Sequence, residues 1–211
     1  MTTTAEAPTA TTAPAVPRRR TLVLLATVFA VALVAIMLTG SDNEPDSSLS
    51  TIRASYDQSP TLMMVTSYAA MAACAVLVFL GVGLRTGLRS RGAVWTADVA
   101  SLGVAVIALT LASWAVTGLA LWHAVDQGDD TAVRTLNFVD TAGFLPLMLG
   151  MACAMIGAGA AGLASRTLPR WLAVVSVVLG CLAPMGPLGF LPALLLAPWL
   201  IAVAATVRLT R

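Results

Sequence analysis

The chain has 211 residues, of which 58% are apolar and only 10% charged, and its formal net charge is +2. Soluble domains carry about 25% charged residues, so this composition excludes an ordinary water-soluble fold and makes lipid the solvent for most of the chain. The basic residues are all arginine, beside an excess of Ala, Val and Leu over Ile and Asn that suits a GC-rich bacterial genome; where each arginine falls says more than the net charge.

Residues 1–17, MTTTAEAPTATTAPAVP, hold almost no large apolar side chain and read as a disordered cytoplasmic tail. Arg18, Arg19 and Arg20 then precede the apolar stretch 21–40, long enough to cross a hydrocarbon core of about 30 Å. This stretch exceeds the apolar region of a signal peptide, and Leu38 and Gly40 make a poor cleavage site, so a retained first helix is expected. The arginines echo a twin-arginine signal, but helix orientation asks for the same residues. In residues 41–60 the acidic groups Asp42, Glu44, Asp46 and Asp57 face a single Arg53. Leu49, Ile52 and Tyr56 recur there at helical spacing after Asp46 and Ser47, which predicts a short capped helix on the membrane surface, with a solvated linker as the alternative.

Four further apolar blocks follow, 61–84, 93–122, 138–165 and 171–207, and the loops between them alternate in charge. Arg85, Arg89 and Arg91 form one; Asp126, Asp129 and Asp130 with Arg134 the next; Arg166 and Arg170 the third. That alternation is what a chain weaving across a membrane shows under the positive-inside rule. The last block is nearly twice the length of one crossing, and Pro184, Gly186, Pro187 and Gly189 cluster at its middle, so it reads as a hairpin, 171–184 and 188–207. A hairpin also returns Arg208 and Arg211 to the arginine-bearing side. The fold expected over 18–211 is therefore an all-α polytopic membrane bundle of six transmembrane helices with both termini cytoplasmic. Its fifth helix is short for a full span. Prolines 146, 184, 187, 192 and 198 have no counterparts in the first three spans, which argues against an inverted repeat of the transporter kind.

Few residues offer chemistry. Gly150, Ala154, Ala158 and Gly162 recur at intervals of four, with Gly157 and Gly159 beside them, giving the fourth helix a smooth face for close packing inside the monomer or between copies. Asp98 is an intramembrane carboxylate near the arginine-rich end, where Arg85, Arg89 or Arg91 is expected to pair with it; a proton or cation site is the alternative. Asp140 is expected to cap the start of the fourth helix. His123 is spaced to pair with Asp126 one turn on, with a surface metal or pH-sensing site as the rarer reading. Cys74, Cys153 and Cys181 form no metal-ligand spacing and read as packing residues. A lone histidine, no glutamate within the spans and no phosphate-binding loop leave no catalytic set, and no metal or cofactor is expected.

The segments YDQSPTLMMVTSYAAMAA, LRTGLRSR, GDDTAVRTL and LPRWLAVVSVVLG resemble those of a family of small multi-pass membrane proteins from high-GC bacteria, a domain of unknown function, over residues 20–211. The resemblance implies six helices and no particular activity. The function expected is that of a non-enzymatic scaffold, accessory or regulatory subunit in the cell membrane; the alternative is a small transporter or channel for a lipophilic or cationic solute. Its partners are then the lipid bilayer and another membrane protein or a second copy, and no nucleic acid.

Overall fold

The computed structural model of the protein describes residues 19–39, 43–56, 60–89 and 92–207. The tail 1–17 and the topology residues Arg18, Arg91, Arg208 and Arg211 lie outside the described residues. Within them the regular structure is helical: α1 (Arg19–Thr39), α2 (Leu49–Tyr56), α3 (Pro60–Arg89), α4 (Val94–Gln127), α5 (Asp130–Ala142), α6 (Phe144–Ser165), α7 (Arg170–Leu182), a 3₁₀ turn (Gly186–Gly189) and α8 (Phe190–Thr206). Thr61–Arg89, Val94–Gln127, Asp130–Ser165 and Gly186–Thr206 are each long and apolar enough to cross a membrane. At 21 residues, α1 rises about 31 Å.

Successive long helices run antiparallel. Arg85 and Arg89 of α3 reach Asp98 near the start of α4, while Gly81 faces Val104 further along. Gly103 of α4 lies against Gly150 and Ala154 of α6, and Ala100 against Gly157; Gly159 of α6 lies against Ala173 of α7, and Ile156 against Gly180. Trp199 of α8 bonds to Ser176 of α7, and α8 packs on α1, which packs on α3. The bundle is thus a ring in chain order closed between its first and last helices. Phe29, Leu77, Ile107, Met151, Met155 and Leu200 fill one continuous core.

Several element ends differ from the sequence expectation, each for a local reason. The second span continues to Arg89 rather than ending at 84, because Leu84 and Leu88 carry the buried stripe onward, so Arg85 and Arg89 stand on a helix and not in a loop. The third span runs on to Gln127, where Gly128 (φ 73°) supplies the left-handed residue that stops it. The expected fourth helix is two helices. Pro146 has no N–H to give the carbonyl of Ala142, and its ring crowds that carbonyl, so the chain breaks at Gly143 between α5 and α6.

The final apolar block is two antiparallel helices joined through Gly186, whose φ of 56° favours glycine. The short member, α7, has 13 residues and rises about 20 Å. The expected surface helix exists as α2, but its cap is Ser48, whose Oγ accepts from the Thr51 N–H at 3.2 Å; Ser47 instead bonds back to Glu44. Nor is α2 a free linker. Ile52 and Tyr56 are buried with Met63, Leu121, Ala124 and Val133, forming a second small core where α2 and α5 cover the end of α4. Arg53 pairs with Asp130 at 2.5 Å, and Asn137 Nδ2 donates to the Glu44 carbonyl at 3.0 Å, fastening that cap across the chain.

Candidate functional site

The residues singled out in the sequence divide between the two ends of the bundle and its middle. At the arginine end, Arg85 and Arg89 are one helical turn apart on α3, and the antiparallel start of α4 brings Asp98 opposite both. Arg85 Nε donates to Asp98 Oδ1 at 2.7 Å and Arg89 Nη2 donates to Oδ2. Both carboxylate oxygens are engaged, and the cluster carries one excess positive charge. The carboxylate thus ties α3 to α4 through both of its oxygens.

Asp98→Asn is expected to lower the unfolding midpoint slightly and Asp98→Ala more, since alanine leaves two guanidinium groups facing each other with no acceptor. Thermal unfolding in a mild detergent checks the order. An asparagine variant with an undiminished midpoint but lost in-cell function points instead to a transport site.

At the other end the expected pairings give way to different ones. Asp140 does not cap the fourth helix: it is in the last turn of α5, and its backbone carbonyl accepts from Trp114 Nε1 at 2.9 Å. The N-cap is Asp129, whose Oδ1 accepts from the Thr131 and Ala132 N–H groups. His123 does not bond to Asp126: its Nε2 is 2.8 Å from Gln127 Nε2, because Gln127 is one turn on along the same face of α4. Asp126 stands exposed. No group of three or more His, Cys, Asp or Glu among the described residues is placed to hold a metal ion.

In the middle, the small residues of α6 are buried inside the monomer. A Cβ on Gly157 would lie 2.6 Å from the backbone N of Ala100, and one on Gly150 3.0 Å from that of Ile107. Ala154 and Ala158 are buried, Gly162 faces Leu168, and Gly159 looks the other way onto α7. The partner surface on α4 was not singled out in the sequence. Gly103 is its tightest point, where a Cβ would fall 2.2 Å from the Ala154 N. Thr96, Ala100 and Gly103 recur at helical spacing, and that was the available signal. Cys74 is buried, Cys153 half-buried and Cys181 exposed, all as free thiols. Comparison with protein-family models, with curated proteins and with solved structures found no match to this chain.

Proposed function

We propose that this is a multi-pass protein of the cell membrane with six spans, α1, α3, α4, α6, α7 and α8, and both termini cytoplasmic. It acts without catalysis, through helix contacts, as a scaffold, accessory or regulatory subunit of a membrane complex. The observation that carries this reading is the filled centre: Phe29, Leu77, Ile107, Met151 and Leu200 from five helices are buried in one apolar core, and the neighbouring α4 and α6 meet backbone to backbone. Large apolar side chains point outward instead, among them Tyr68, Phe79, Leu102, Leu109 and Leu194, a surface suited to lipid and to other membrane helices. Exposed Trp95 and Trp171 open α4 and α7 near the arginine end, as interfacial aromatics do. The loop motifs that resemble small multi-pass proteins fit the same reading.

Two measurements test it. A C-terminal fluorescent fusion that matures only in the cytoplasm is expected to be bright and a C-terminal phosphatase fusion inactive; an active phosphatase makes the number of spans odd and overturns the hairpin as two crossings. Cross-linking in native membranes is expected to recover one stoichiometric membrane partner. Cation- or proton-coupled flux in reconstituted vesicles, abolished by Asp98→Asn, sinks the scaffold reading in favour of a transporter.

A further inference from the structure

One face of α1 is used by the bundle and the other is not. Leu22, Ala26, Phe29 and Leu33 are buried in the core, whereas Leu24, Val28, Val31 and Val34 are each between 46% and 67% exposed. At the arginine end of that outer face lies an open cavity of about 580 Å³, lined by Arg19, Arg20, Val23, Leu24 and Thr27. The Thr27 hydroxyl turns back to donate to the Val23 carbonyl at 2.9 Å, so its donor is spent within the helix and its methyl group is left to the wall. Both arginines are exposed, and the ion pairs among the described residues involve Arg53, Arg85 and Arg89, not these two. The cavity therefore joins two guanidinium groups, without an ion-pair partner among the described residues, to an apolar wall.

From this we infer that the outer face of α1 binds an anionic phospholipid, with the headgroup phosphate on Arg19 and Arg20 and an acyl chain along Leu24, Thr27, Val31 and Val34. Those residues follow Arg20 at helical spacing over about 21 Å, the reach of an extended acyl chain. Guanidinium groups suit phosphate because they donate in parallel pairs. A lipid whose headgroup has its own cation already neutralises its phosphate, which selects phosphatidylglycerol or cardiolipin over phosphatidylcholine. The inference rests on α1 lying in the bilayer.

The test uses the full chain in nonionic detergent, titrated with phosphatidylglycerol, phosphatidylcholine or inorganic phosphate and read by native mass spectrometry and unfolding midpoint. Phosphatidylglycerol is expected to bind roughly 30-fold more tightly than phosphatidylcholine, two basic groups acting together. Arg19→Gln with Arg20→Gln should remove that preference while leaving the midpoint in phosphatidylcholine unchanged. Equal retention of the two lipids by the wild type, which needs no variant to fold, overturns the proposal. So does a phosphate response as large as the lipid's, which would mark a simple anion site. A chain that stays dispersed without detergent fails the membrane reading itself, an outcome distinct from both.

Discussion

Gly103→Ala is expected to unfold in detergent at a much lower temperature than the wild type, and Gly118→Ala at the same temperature or slightly higher, although both exchange glycine for alanine on one helix. Around Gly118 a Cβ meets nothing within 4 Å, so only the better helix propensity of alanine acts, worth up to about 1 kcal/mol. At Gly103 the added carbon falls 2.2 Å from the Ala154 N, 2.6 Å from the Gly150 carbonyl oxygen and 2.8 Å from the Ala154 Cα. All three atoms are backbone, and no rotamer change moves them. The two helices must separate, and overpacking of that kind costs about 1–3 kcal/mol or more. In lipid the loss matters further, because helix association there rests on close van der Waals contact and not on apolar burial.

Gly157→Leu and Ala158→Leu belong to the same experiment, at sites where the neighbouring backbone or core leaves no volume. Leu163→Ile on the exposed side of α6 is the control, expected to change stability by less than about 1.5 kcal/mol. Equal midpoints across the series mean that α4 and α6 do not meet as described.

The contact between α4 and α6 also shows what the sequence carried and what it did not. The smooth face of α6 was legible because six small residues stand out against larger apolar neighbours. Its partner was harder to see: α4 is apolar along most of its length, so Thr96, Ala100 and Gly103 do not contrast with their surroundings. Charges gave the alternation of the loops but misplaced helix ends, since arginine and aspartate are tolerated in terminal turns and the stop of α4 is a backbone one, Gly128 (φ 73°). Asp140 shows the same limit. Its role depends on where the helix starts, and that start is moved by Pro146, six residues later. Asp98 was more legible, because its partners are fixed by the antiparallel meeting of two segments joined by a short turn.

Trp199→Ala is the second large effect expected, and it bears on how the ring is closed. The indole is 4% exposed, and its Nε1 donates to Ser176 Oγ at 2.8 Å; the serine in turn donates to the Leu172 carbonyl at 2.7 Å. This relay joins α8 to α7, whose 13 residues offer little other surface for α8 to grip. Removing the ring leaves a void at that joint, with a cost of about 3–5 kcal/mol on the scale of buried tryptophans. Trp199→Phe keeps most of the packing and loses a single interhelical hydrogen bond, of order 0.6 kcal/mol within a membrane bundle. Ser176→Ala should fall between them, because it leaves the indole N–H buried with no acceptor. The double variant Trp199→Phe with Ser176→Ala should then be no worse than Ser176→Ala alone, since the orphaned donor has gone. Midpoints that simply add would show that the two side chains do not act together, and that α8 is held to the bundle chiefly by α1.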